Sequence, residues 1–522
     1  MKIRRTITGW ALVVVMFLSI LSGPSMASAE AGNKSYDMFV SSACADRIKE
    51  LKWYDAAEQA TGVHVNYIAG PEESADVYAE VDQRISGGTL PDAVMATLTQ
   101  TSTYGPKGAF LNLAPLIAKY APHLQAYIDA NPTYKALVTE ENGAIYGLCT
   151  ETPVFADFIG YRVDQFKKAG IDAESIKTVD DFTKALRKLK AFYGKNNKNY
   201  YPLCGRDNPI RFAAWFGCAS NISSKESNGV YVSGHYKDGS FDIMSKNAYK
   251  MADTMKTWYD EGLINPEWIA GTSSENDWES TMLSGNGSVF YDDYDRAEWF
   301  MENGGPQNDP NFQMGVLSFL QGTKGKVMPV TTSTQYNDEV VTGISAKVNE
   351  EKAATILGFI DYFYSDEGIT LANYGVEGES FKVNADGTKD FIVDYATEES
   401  KAAGEKKWSF LSDRFTVCKP VDDDAFFKWN APLISEAAGR LLKPESLMTS
   451  YTLKFTEGQE TELSSFSATI YNAEVAGILS FVNGSRDFNK AEWATFTGEM
   501  NDLGHDRIEE IQLAAYRATY GK

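Results

Sequence analysis

The chain of 522 residues holds only five cysteines and four histidines. Cys44, Cys149, Cys204, Cys218 and Cys418 are odd in number and widely spread, which excludes a disulfide framework as the basis of its stability. Cys204 and Cys218 could pair, but small buried thiols are the plainer reading. His64, His123, His235 and His505 have no metal-ligand spacing, and neither a Gly-x-Ser-x-Gly elbow nor a phosphate-binding loop occurs. Positive charge is scarce too: 49 Lys and Arg stand against 71 Asp and Glu, a net charge of -22. That balance argues against nucleic acid or an anionic membrane as a partner and favours a neutral or cationic solute. Long apolar runs are absent beyond the first thirty residues, so no later segment is expected to cross a bilayer.

The one apolar run, Trp10 to Leu21, follows Lys2, Arg4 and Arg5 and precedes Ala27-Ser28-Ala29. This is the pattern of an export signal, residues 1–29, with the mature chain starting near Glu30. The run is about half the ~20 residues that a membrane-spanning helix needs. Ser41-Ser42-Ala43-Cys44 looks superficially like a lipid-attachment box, but no apolar core precedes it, and lipid attachment there is not expected. Aromatic residues make up 13% of the chain, a surplus that in an exported protein suits sugars, whose C–H faces pack on flat rings.

Strand and helix patterns alternate. Tyr36–Val40, Val63–Ile68 and Asp92–Leu98 read as strands, with helices over Ala45–Thr61 and Ala75–Ser86 between them. The alternation predicts an α/β fold with a parallel sheet. It resumes near residue 153, with Phe158–Tyr161 as strand and Val179–Phe192 as helix, so a second α/β unit begins there. Asn349–Tyr364, Glu492–Leu503 and Asp506–Tyr520 keep helical spacing. No internal repeat or long linker is found.

Several ordered segments carry a resemblance. They are Gly87-Gly88-Thr89-Leu90-Pro91-Asp92, Gly108-Ala109-Phe110-Leu111-Asn112-Leu113, Gly143-Ala144-Ile145-Tyr146-Gly147 and Tyr161-Arg162-Val163-Asp164. Tyr259-Asp260-Glu261-Gly262-Leu263-Ile264-Asn265-Pro266-Glu267, Ser365-Asp366-Glu367-Gly368 and Tyr374-Gly375-Val376-Glu377-Gly378 follow. In order and spacing the chain resembles the family 1 extracellular solute-binding proteins, particularly the branch with alginate-oligosaccharide binders. The resemblance implies a type II periplasmic-binding-protein-like fold of two α/β lobes, with a hinge and an interlobe cleft that closes on its ligand. It places lobe 1 at 30–152 plus 316–370 and lobe 2 at 153–315 plus 371–522. It further implies a monomer that delivers a carbohydrate, an oligosaccharide, to ABC transporter permease subunits outside the cytoplasm.

In open α/β sheets ligands sit beyond the carboxyl ends of strands. That rule selects Ser41 and Ser42, Thr99 and Gln100, Glu151, the Arg206 to Asn208 loop and Tyr291 to Tyr294, and among these Ser42, Gln100, Glu151, Arg206, Asp207, Tyr291 and Asp293 are the candidate ligand-binding residues. Tyr291-Asp292-Asp293-Tyr294 combines rings with paired acceptors, though a solvated acidic turn is an equal reading. Arg206-Asp207-Asn208-Pro209, with Phe212 and Trp215 after it, resembles the aromatic segment lining the cleft of maltodextrin-binding protein. Phe212 and Trp215 lie three apart on a helix, so at least one belongs to the core. Tyr374 and Glu377 come from the family motif, whose glycines suit a turn. Trp429 could be a cleft aromatic or a core anchor. Trp53, Trp258 and Trp493 fall at apolar helical spacing and are assigned to the core.

Where the alginate-binding branch often carries a calcium loop, this chain has Lys195-Asn196-Asn197-Lys198-Asn199-Tyr200-Tyr201-Pro202, without a carboxylate. Neither a metal nor another cofactor is expected. With 71 acidic residues a chance pair of carboxylates is easy to find, and no catalytic constellation stands out. A secreted glycoside hydrolase or lyase, and a surface sensor or adhesin, are the alternatives to an importer subunit.

Overall fold

The computed structural model describes residues 34–152, 157–206, 212–216, 246–293, 295–320, 336–392, 418–430, 432–441 and 453–520. The expected signal, Cys218, Asp207 and Tyr294 lie outside these residues. Strand β1 (Lys34–Val40) pairs in parallel with β2 (Val63–Ala69) and β3 (Ala93–Ala96). The helices between them, Lys52–Thr61 and Ser74–Gly87, each end on a left-handed glycine, Gly62 and Gly88, where a side chain would be strained. The single helix expected over Ala45–Thr61 is two, Ser42–Ile48 and Lys52–Thr61. Leu51 breaks it by taking an extended conformation that buries its side chain in the core. Strand β4 (Gly147–Glu151) lies at one edge of this sheet.

After β4 the chain crosses to a second sheet. Strand β5 (Phe158–Arg162) is flanked by β6 (Val289–Asp292) and β7 (Met314–Val316), both antiparallel to it. The parallel pairing expected from alternation fails here because β6 and β7 return after long helical excursions, not single crossover helices. A parallel margin survives where Leu203 bridges to Val289 and Ile264. Phe182, Leu186 and Leu189 of helix Val179–Tyr193 pack with Phe212, Trp215 and Trp258 to form the core of this lobe. Asp180 and Asp181 occupy the first turn of that helix, as its acidic start suggested.

The chain then returns. Strand β8 (Tyr336–Ile344) inserts antiparallel between β3 and β4, giving the order β2-β1-β3-β8-β4. Helix Glu350–Tyr362 covers the sheet, and Phe359 and Phe363 pack on Tyr54 and Trp53. Trp53, Trp258 and Trp493 are all buried.

Packing moves the boundary expected after residue 370. Leu371, Ala372, Val376, Phe391, Cys418 and Trp429 all lie against the first core. The cause is the turn at Gly375 and Gly378, both at positive φ, which folds the chain back into a hairpin of β9 (Phe381–Val383) and β10 (Lys389–Phe391). Asp386 and Gly387 make the turn of that hairpin. Among the described residues after 370, helix Pro432–Leu441 is the first to pack on the second lobe, with Leu433 beside β7 residues.

The C-terminal quarter is helical. Helix Glu457–Asn483 runs antiparallel in sequence sense to Lys490–Leu503, and His505–Tyr520 follows. Near its start, Thr99 Oγ1 donates to Glu460 at 2.5 Å, and Lys107 pairs with Glu457 at 3.3 Å. Toward its end, Ile478, Phe481 and Val482 are buried in the second-lobe core. One helix therefore touches both lobes.

Candidate functional site

The strand ends of the two sheets are fixed by their pairing. In the first, β1 ends at Val40, β3 at Ala96 and β4 at Glu151, while Tyr336, the first residue of β8, pairs with Glu151. In the second, the start of β5 meets the ends of β6 and β7, since Phe158 pairs with Asp292 and Gly160 with Val316.

On the first lobe, Ser42 is half-buried and its backbone N–H donates to Pro71 O at 3.1 Å. Ser41 caps the helix that Ser42 opens, accepting from Cys44 N. Gln100 is committed internally: its Nε2 donates to Tyr78 O at 2.8 Å and Asp82 Oδ1 at 2.9 Å, and its Oε1 accepts from Thr97 N. This capping box corrects the expectation that its amide is open to a ligand. Glu151 is half-buried, and its Oε2 accepts from Tyr127 Oη at 3.1 Å and Val421 N at 3.0 Å.

On the second lobe, Arg206 forms a fork on Asp292, with Nε–Oδ2 at 3.0 Å and Nη2–Oδ1 at 3.2 Å. Its Nη2 also reaches Asp293 Oδ2 at 3.4 Å. Asp292 is wholly buried, whereas the Asp293 side chain is 48% exposed. The guanidinium thus pairs with the buried Asp292 carboxylate and reaches a second carboxylate that faces solvent.

The rings need a correction. Trp215 and Tyr291 are only 5% and 3% exposed. Phe212 stacks on Tyr291 at 5.5 Å and 17°, and Trp215 meets it edge-on at 4.8 Å. Neither offers an open face, because the core they complete needs them. They do, with Ile159, Leu317, Phe319 and Leu320, line a narrow crevice at this edge.

Tyr374, Glu377 and Trp429 gather elsewhere on the first lobe. The Tyr374 hydroxyl donates to Asp424 Oδ2 at 2.8 Å, and its ring stacks on Phe391 at 5.4 Å. Burial and the carboxylates Asp424 and Asp422 push its hydroxyl far above the usual phenol range. Trp429 packs edge-on against the same Phe391, and Glu377 is exposed on the turn. These are contacts of a hairpin anchor, not of the interlobe edge. Sequence reasoning passed over Glu460 and Lys419, for which no local signal exists, whereas the strand-end rule had already reached Thr99 and Asp292.

The sequence profile of the bacterial extracellular solute-binding proteins matches residues 52–376. The chain belongs to that family. It is 25% identical over 492 residues to the fructooligosaccharide ABC transporter substrate-binding protein of Streptococcus pneumoniae, spanning 86% of this chain and 83% of that one. That protein has been solved with kestose and, as an EF-hand mutant, with fructo-nystose; both structures align with a TM-score of 0.61 at 20% identity, covering 92% of this chain and 99% of theirs. A solute-binding protein of Bifidobacterium longum infantis that binds HMO and is associated with an ABC transporter aligns at 0.67 and 16% identity, over 94% of this chain and 100% of its own. The fold is that of the two-lobed solute-binding proteins.

An EF-hand in a structural relative raises the question of a divalent cation. Lys195 to Pro202 do not fit one. Asn199 N–H donates to Asn197 Oδ1 at 3.0 Å, and Asn197 Nδ2 to Asn286 Oδ1 at 2.6 Å. The Lys190 ammonium donates to Tyr200 O at 2.6 Å and lies 4.5 Å from the Tyr201 ring centre. A hard divalent ion wants several charged oxygens, and this loop gives its carbonyl to an ammonium instead. Among the described residues no group of three or more metal-ligating side chains occurs. None of the described helices is long and apolar enough to cross a membrane.

Proposed function

We propose that this protein captures an oligosaccharide between its lobes and delivers it to the permease subunits of an ABC importer. Family membership supplies the binding role. What carries the carbohydrate reading is the Arg206–Asp293 pair, whose carboxylate is 48% exposed, since planar paired donors and acceptors suit vicinal hydroxyls. The quarter identity to a fructooligosaccharide binder over most of both chains supports the same class. Arg206, Asp293, Glu151 and Ser42 are the polar contacts of this reading, Trp215 and Tyr291 its wall, and Asp207 joins them by sequence position. Residues 1–29 export the chain, which works as a monomer without chemistry of its own.

Titration calorimetry of the mature chain with kestose, arabinotriose and a guluronate trimer tests this. One of them is expected to bind at one site per chain without turnover. Product release in the same samples would establish the hydrolase or lyase alternative, and binding of peptides alone would remove the carbohydrate.

A further inference from the structure

The loop 195–202 joins helix Val179–Tyr193 to the parallel margin at Leu203, and it is held from several sides. From the helix, the Lys190 ammonium donates to Tyr200 O at 2.6 Å and stands 4.5 Å from the centre of the Tyr201 ring. From the turn before β6, Asn286 O accepts from Tyr201 N at 3.0 Å, and Asn286 Oδ1 accepts from Asn197 Nδ2 at 2.6 Å. Beneath the loop Tyr200 is wholly buried, its ring 5.3 Å from that of Tyr193 and its hydroxyl bonded to Ser288 Oγ. The third wall is Gly262, at φ +62°, where a Cβ would lie 3.5 Å from Lys190 Nζ and 4.0 Å from the Tyr201 ring. Arg187, on the same helix, forks onto Glu261 with both contacts at 2.6 Å and so ties that wall to the helix.

A loop of this length must satisfy its own carbonyls and give up conformational freedom to stay closed. Divalent ions do this elsewhere by gathering charged oxygens, but residues 195–202 carry two lysines, three asparagines and no carboxylate. An ammonium is a cation that the chain can supply from within. It is a compact point charge with three donors, and both a carbonyl oxygen and the face of an aromatic ring receive it well. Burial pulls the Lys190 ammonium below the usual lysine range, as expected of a charge drawn partly out of water to reach the loop.

We propose that the Lys190 ammonium does for this loop what a bound divalent cation does in a cation-binding loop, gathering the Tyr200 carbonyl and the Tyr201 ring onto the second lobe. A tethered charge takes the place of an exchangeable one. The order of the loop is then independent of the calcium or magnesium around the protein, whichever sugar is bound.

The test follows the mature chain and Lys190→Met by thermal unfolding and by trypsin cutting after Lys195 and Lys198, in excess EDTA and in millimolar calcium or magnesium chloride. For the wild type, Tm and cutting rate are expected to be the same in every condition. Lys190→Met should lose several degrees of Tm and be cut about tenfold faster at the two lysines, with no recovery in either metal. A wild-type Tm that falls in EDTA or rises with metal overturns the proposal, as does a Lys190→Met chain cut at the wild-type rate, whatever its Tm. So does a labile variant that calcium protects again, since the loop's own oxygens would then hold an ion. Should Lys190→Met not fold, Lys190→Gln, which keeps a donor and loses the charge, takes its place with the same outcomes.

Discussion

A buried ammonium and a largely buried guanidinium obey opposite rules. Lys419 has a folded pKa near 8, below the 10.5 of a free lysine, so the folded state holds fewer protons between those values. Its penalty is complete below pH 8 and fades as pH rises toward 10.5. In urea unfolding, the stability difference between Lys419→Met and wild type should shrink from pH 7.5 to 10, by up to ~3 kcal/mol. A constant difference would contradict the assigned burial. Arg206 is the reverse case: Arg206→Ala removes the charge-paired fork from the buried Asp292 carboxylate, which keeps the Asp293 N–H, and should cost about 3–5 kcal/mol, whereas Asp293→Ala at the exposed arm should cost about 1 or less. Strand-end reasoning selected Arg206, Glu151 and Asp293 because each follows or closes a strand terminus. It could not separate an open ring from a core ring at Tyr291 and Trp215, nor see that the Gln100 amide closes a capping box. It missed Lys419 because nothing near it in sequence marks burial.

Elements were most legible where one face packs on one partner. Helix Val179–Tyr193, with a clean stripe and an acidic start, lies close to its expected bounds. Helix Glu457–Asn483, the longest described, gave no such signal. Leu463 and Ile470 pack with Ile508 and Ile511, while Ile478, Phe481 and Val482 enter the second-lobe core, so its apolar stripe changes partner along its length. Its two ends should differ in energy. Phe481→Ala is expected to cost about 3–5 kcal/mol by leaving a cavity, and Thr456→Ala about 1 by removing the cap that accepts from Gln459 N. Gly477 lets this helix approach the next: a Cβ there would lie 2.1 Å from Phe496 Cε2. Gly477→Leu should therefore destabilise by about 1–3 kcal/mol despite better helix propensity. Denaturant titrations of the three variants check the order.

At the scale of the molecule, two α/β units were readable from the alternation of strand and helix, and the return to the first lobe only from the family resemblance. The place where the chain leaves the first lobe for the last time was not, because the hairpin after Gly378 is held by contacts among Tyr374, Phe391 and Trp429 that no local pattern announces. If the lobes close on a ligand, saturating sugar should reduce the radius of gyration in solution scattering and raise Tm with sugar concentration. An unchanged radius with a raised Tm would mean that the lobes are already closed.

The helix that touches both lobes bears on how such a closure can proceed. Its far end is welded into the second lobe by Ile478, Phe481 and Val482, and interdigitated side chains do not slide without opening voids. Its near end is latched to the first lobe by Thr99 on Glu460, Lys107 on Glu457 and, just upstream, Lys454 on Glu140. Polar links of this sort can exchange with water at little net loss. Rotation of the lobes would then slip the latch and spare the weld, so the rod travels with the second lobe as its lever arm.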